Sequence, residues 1–282
     1  MEEIIVPIDF SECSINAFEH ALDMAAKTKH DIELLWVKSN NSRSELIKDK
    51  GEKIEDIVNH RFEELIKKYQ PKLTTNKLSY KIREGKVYKE VVSEAKEKNA
   101  FLIVTGTHGS SGFEEIFIGS NANRIIASSH CPTVTIRGGV NVKKPLKGIV
   151  LPIDSSDQTR QKVPFTLELA KHYHAEIFIL GVITSKIKAL AKRTEVYVDQ
   201  VEKSLYAKNI KHQVEIIRSE NATEDIIKHC EKMDANLISI MTEQEKSTYS
   251  FILGTYAQQL VNRSPYPVLS IHPKDVMITY SR

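Results

Sequence analysis

The chain has 282 residues, 41% hydrophobic and 27% charged, ordinary proportions for a globular protein with room for two domains. Forty Lys and Arg against 37 Asp and Glu leave a net charge of +3, so no strong positive excess points to nucleic acid or an anionic membrane as a partner. Eleven Gly and nine Pro exclude collagen-like and low-complexity chains, and no apolar run approaches the roughly 18 residues of a membrane span.

Apolar runs at 3–8, 32–37, 78–82, 101–105 and 133–136 are short and rich in Ile and Val, as strands buried on both faces are. Between them, Ser14–Lys29 places Ile15, Phe18, Leu22 and Ala25/Ala26 on one helical face. A longer segment, about Glu45–Tyr69, does the same with Ile54, Val58, Phe62 and Leu65, and Val87–Lys98 and Ser120–Ser129 supply two more helices. Such alternation with right-handed crossovers predicts a doubly wound, Rossmann-like α/β fold. From residue 148 the order repeats, with strands at 148–153, 175–182, 213–217, 236–240 and 267–271.

The repeat is one of sequence as well as pattern. Residues 4–11 read IIVPIDFS and residues 149–156 read IVLPIDSS, an offset of 145. Beyond the second strand the offset is 135: Arg83 meets Arg218, Ala100-Phe-Leu-Ile meets Ala235-Asn-Leu-Ile, and Gly119-Ser120 meets Gly254-Thr255. A period near 140 is a domain duplication rather than a solenoid. The two units are expected at 1–140 and 141–282, joined by RGGVNVKKPLK at 137–147.

Cys13, Cys131 and Cys230 form no CxxC pair and suit a reducing compartment. With Met-Glu-Glu running straight into Ile-Ile-Val, the chain is expected to be cytoplasmic. Neither GxxxxGK[ST] nor a strand-following GxGxxG occurs. The ten His, His108 and His172-Tyr-His174 among them, lack partners at metal-ligand spacing, so no metal site is expected.

In open parallel sheets, ligands bind beyond the carboxyl ends of the strands, where strand order reverses. Asp9, Val37-Lys38 and the segment TGTHGSSGFEEIFIGSNANR (105–124) fall at such ends. Gly106 and Gly109 permit positive φ and leave no Cβ in a ligand's way. Gly119-Ser120 opens a helix whose free N–H groups suit phosphate, with Ser120 as cap or donor. Glycines that only make turns, and a Ser that only caps, would look the same.

The spacing Gly106-x2-Gly109-x9-Gly119-Ser120 resembles the nucleotide-binding signature of the ATP-binding universal stress proteins, and VPIDFS and CPTVTI resemble that family's first and last strands. The resemblance spans both copies, so the chain looks like a tandem universal stress protein. It implies a five-stranded parallel sheet in each half, in order 3-2-1-4-5. It further implies that Pro7, Ile8 and Asp9 line an adenosine pocket, with the Asp9 carboxylate on the ribose, and that the backbone of Val37 meets adenine. Thr105, Gly106, His108 and Gly109 would border ribose and phosphates, and Gly119, Ser120 and Asn121 would hold the phosphates. Ser110-Ser111 stand where the family often has Arg or Lys, so Mg2+, His108 or Arg124 would have to offset phosphate charge, and ATP, ADP and AMP stay open. In the second half Met241 and Gln244 replace Gly106 and Gly109, with Glu243 and Glu245 beside them, and nucleotide binding there is expected to be lost.

Family members resemble one another in pairing through their last strands. Thr133–Ile136 and Val268–Ile271, apolar edges otherwise, are therefore expected to meet within the chain as a pseudo-dimer, with a homodimer of whole chains as a further state. Three functions remain: a nucleotide-dependent stress-response or signalling switch acting on a protein partner, a slow ATPase or autophosphorylating enzyme at the same site, and a nucleotide-free tandem scaffold.

Overall fold

A computed structural model describes residues 2–39, 53–107, 119–140, 145–242 and 255–273. In the first half the apolar runs become β1 (Glu3–Pro7), β2 (Asp31–Lys38), β3 (Leu78–Glu84), β4 (Leu102–Gly106) and β5 (Thr133–Ile136). The helices between them are α1 (Glu12–Thr28), α2 (Ile54–Tyr69), α3 (Val87–Glu97) and α4 (Ser120–Ser128). Residues 45–52 of the expected longer helix lie outside the described residues. The second half repeats the series as β6 (Gly148–Ile153), α5 (Val163–Tyr173), β7 (Glu176–Ile183), α6 (Lys188–Ala207), β8 (His212–Arg218), α7 (Ala222–Lys232), β9 (Leu237–Met241), α8 (Thr255–Arg263) and β10 (Val268–Ile271).

All ten strands form one sheet in the order β3-β2-β1-β4-β5-β10-β9-β6-β7-β8. Within each half the pairs are parallel and the local order is 3-2-1-4-5. The halves meet where β5 and β10 pair antiparallel, with Val268 opposite Thr135, Leu269 opposite Val134 and Ser270 opposite Thr133. Each of these edges thereby satisfies the other's backbone groups.

Local chemistry sets the helix ends. The Ser11 hydroxyl caps α1 by accepting from the Ser14 N–H at 3.2 Å, and α1 stops at Lys29, which turns left-handed at φ 62°. His174 ends α5 in the same way at φ 52°. The start of α5 differs, because Pro164 stands in its first turn and has no N–H to continue a helix backwards. One apolar cluster runs from Ile4, Phe18 and Trp36 through Val134 and Leu269 to Ile149 and Leu205, so the core does not stop at the junction.

Candidate functional site

The carboxyl ends of β2, β1 and β4 bring most of the expected residues to one edge of the sheet. Pro7 ends β1, and Ile8 continues it by donating its N–H to the Leu35 carbonyl at 2.9 Å. Asp9 follows in a local turn: its Oδ1 accepts from the Ser11 N–H at 3.0 Å and from the Ser11 hydroxyl at 2.6 Å. One side chain, Ser11, therefore holds the carboxylate and caps α1. Phe10 lies between them at φ 63°, a costly region for an aromatic residue. Its ring is held against Phe62 at 5.0 Å, with the Arg61 guanidinium 5.4 Å from its centroid. Val37, buried near the end of β2, stands opposite Arg83 of β3.

Thr105 and Gly106 complete β4, and Thr105 is buried. Gly106 does not use the positive φ that a glycine permits. What its lack of a side chain permits is close packing against protein: a Cβ there would lie 2.7 Å from Cys13 Sγ and 3.0 Å from the Cys13 carbonyl oxygen. The glycine lets the first turn of α1 sit on the end of β4.

The next segment is closed at its base. Thr107 donates to the Ile136 carbonyl at 3.0 Å, and the Gly119 N–H donates to the Thr107 carbonyl at 2.6 Å. Gly119, rather than Ser120, is the N-cap of α4, and its N–H is spent within the protein. Of the two roles expected of Ser120, cap or donor, the cap falls instead to Gly119, and Ser120 is the first helical residue. Ser120 and Asn121 are exposed at a helix start whose leading N–H groups have no partner within the helix. Arg124, one turn on, places its guanidinium 5.3 Å from the centroid of Tyr88. His108 and Gly109 lie outside the described residues, as do Gln244, Glu243 and Glu245 of the second half.

The second half reproduces the first turn and not its surroundings. Asp154 Oδ1 accepts from the Ser156 N–H at 2.7 Å and the Ser156 hydroxyl at 2.6 Å, matching Asp9 and Ser11. Met241 fills the position of Gly106 and is buried. Lys162, aligned with buried Ala17, is 3% exposed and donates from Nζ to the Thr159 carbonyl at 2.6 Å. Burial pushes its ammonium down to about 8, opposed by the charge of Asp154. The carboxylate that matches Asp9 thus has an internal cation in its field. Sequence reasoning missed Lys162, Ser11, Phe10 and Cys13; the Ala17–Lys162 pair at offset 145 was the visible sign of the first.

Among the described residues no group of His, Cys, Asp and Glu could hold a metal ion, and no helix is long and apolar enough to cross a membrane. Comparison with known proteins gives relatives that match about half of this chain and a solved structure that matches nearly all of it. A universal stress protein of Methanocaldococcus jannaschii is 31% identical over 150 residues, 52% of this chain and 84% of its own. Another, from Bacillus subtilis, is 26% identical over 150 residues, 48% of this chain and 98% of its own. The crystal structure of a universal stress protein from Archaeoglobus fulgidus is 20% identical, covers 96% of this chain and 98% of its own, and has a TM-score of 0.75, a likeness of fold over both halves. The model of the universal stress protein family matches twice, at residues 1–137 and 145–272, and the chain belongs to that family as a tandem of two such domains.

Proposed function

We propose that this tandem universal stress protein binds one adenine nucleotide, with ATP favoured over ADP and AMP, in its first domain (1–140) and works as a nucleotide-dependent switch in a stress response. Two observations at the carboxyl ends of the paired strands β1 and β4 support the reading: the pinned carboxylate of Asp9 just past β1, and the exposed start of α4 at Ser120 and Asn121, which the Gly119–Thr107 hydrogen bond ties to the end of β4. A carboxylate suits ribose hydroxyls, and an exposed helix start suits phosphate. Asp9 would take the ribose, Pro7, Ile8 and Val37 the adenosine, and Thr105, His108, Gly109, Ser120 and Asn121 the phosphate side, with Mg2+ as a further counter-charge. Gly106 and Gly119 would act by shaping the pocket, since the first packs on Cys13 and the second bonds to the Thr107 carbonyl.

The second domain (141–282) is read as a partner that has given up the nucleotide. Met241 replaces the glycine, and Asp154 faces the charge of buried Lys162. Denaturing the purified protein and identifying released nucleotide tests the site, and calorimetry with ATP tests the stoichiometry. One nucleotide per chain, lost in a Ser120→Ala, Asp9→Ala double variant, is the expected result. Two equivalent sites, or binding unchanged by those substitutions, would refute the assignment.

A further inference from the structure

A cavity of about 510 Å³ opens at the seam between the two halves, and it shares no residue with the proposed nucleotide site. Its walls come from α1, the end of α5, the segments entering β6, β9 and β10, and the chain on either side of the junction. That volume is within the range of small-molecule sites, which favour domain interfaces.

The pseudo-symmetry of the chain shows why the space exists. At the matching end of the seam, Phe101 lies 5.1 Å from Phe165 and stacks on His30 at 3.9 Å, three rings plugging the position. Aligned with those rings, at offsets of 135 and 145, are Asn236, His20 and Ala175. Asn236 does more than vacate volume. Its Oδ1 accepts from the Lys147 N–H at 3.0 Å, and its Nδ2 donates to the Pro145 carbonyl at 2.6 Å, so it ties the junction back as one wall.

The chemistry of the lining is one-sided. Among the described lining residues Asp23, Glu231 and Asp234 are exposed carboxylates, against the ammonium of Lys147. Asp23 accepts from the Tyr173 hydroxyl at 2.8 Å, which sets that ring in the wall. Tyr266 and Leu146 extend the apolar surface. His20 Nε2, beside the cavity, is buried with no hydrogen-bond partner. Acceptors at the mouth and rings within suit a ligand with a donor-rich positive head and a hydrocarbon body.

We infer that the seam cavity is a second binding site, for a small alkyl- or arylalkylammonium ion whose hydrocarbon part lies against Tyr173 and Tyr266 and whose charge sits among Asp23, Glu231 and Asp234. The test is calorimetric titration of the full chain with phenethylamine and cadaverine, and with 3-phenylpropionate as the anion of similar shape. One amine should bind per chain, and the anion should not bind. Glu231→Gln with Asp234→Asn should weaken the amines about tenfold, as expected for two partly exposed charge pairs. Asn is at home in the left-handed backbone of Asp234, at φ 49°, so the pair of changes leaves the fold intact. Asn236→Phe, which restores the ring present at the other end, should abolish amine binding and leave ATP binding as in the parent. The inference is overturned if neither amine saturates at millimolar concentration, if 3-phenylpropionate binds equally, if the carboxylate variant binds the amines unchanged, or if ATP displaces them.

Discussion

Gly106 and Lys162 show two ways in which one residue can carry more than its local pattern suggests. A methyl group at Gly106 meets Cys13 Sγ at 2.7 Å and the Cys13 backbone oxygen at 3.0 Å. Gly106→Ala is therefore expected to cost about 1–3 kcal/mol by overpacking. Cys13→Ala should restore part of that, since it removes the sulfur and leaves the carbonyl; urea midpoints of the two variants and their combination check it. Lys162 carries the opposite kind of burden. Its folded pKa of about 8 lies below the unfolded value, so the folded chain binds fewer protons in between, and stability should rise as pH climbs from about 8 towards 10.5. Lys162→Met should accordingly stabilise the protein at neutral pH, by about 1–3 kcal/mol, and the gain should shrink at higher pH. Urea unfolding of both proteins at about pH 7 and about pH 9.5 would show whether the difference closes.

At the level of elements, periodicity located the helices and hydrogen bonding moved their ends. The apolar face of α1 starts at Ile15, but Ser11 caps the helix, so α1 begins at Glu12 rather than at Ser14. β5 occupies the expected 133–136, because a strand buried on both faces ends where its apolar run ends. The turn after the first strand was legible in the repeated PID and hydroxyl residue, and the structure shows what the hydroxyl does in each half. The reason for Gly106 was not legible, because its packing partner, Cys13, is remote in sequence. A pair of substitutions separates the two turns. Ser11→Ala loses the hydroxyl bond to Asp9, leaving only the backbone N–H on the carboxylate, and loses the cap on α1, about 1–2 kcal/mol, and should weaken the nucleotide. Ser156→Ala removes the hydroxyl bond to Asp154 but uncaps no helix, and it should cost less and leave ATP titrations unchanged.

For the whole molecule, the antiparallel joint between β5 and β10 and the shared core predict one cooperative unit. The sole tryptophan, Trp36, is buried in the first half and reports on that half alone. Leu269, fully buried in the second half, faces Val134 across the joint. Leu269→Ala should cost about 2–5 kcal/mol. If the halves unfold together, the Trp36 fluorescence transition should move by the same amount as the far-UV circular dichroism transition. A tryptophan signal that stays at its parent midpoint would mean that the halves melt independently.

The covalent junction has a consequence for what the seam can become. In a dimer of identical chains every substitution appears twice, so exchanging a Phe for Asn would hollow both ends of the joint and remove both aromatic plugs at once. It would also weaken association, and the assembly would come apart on dilution. Here the second half is tethered to the first by about ten residues, which holds the partner at an effective concentration in the millimolar range however dilute the protein is. One end can therefore keep Phe101, Phe165 and His30 as a permanent weld while the other carries Asn236 and His20 around an open chamber. Fusion frees each end of the seam to be spent differently.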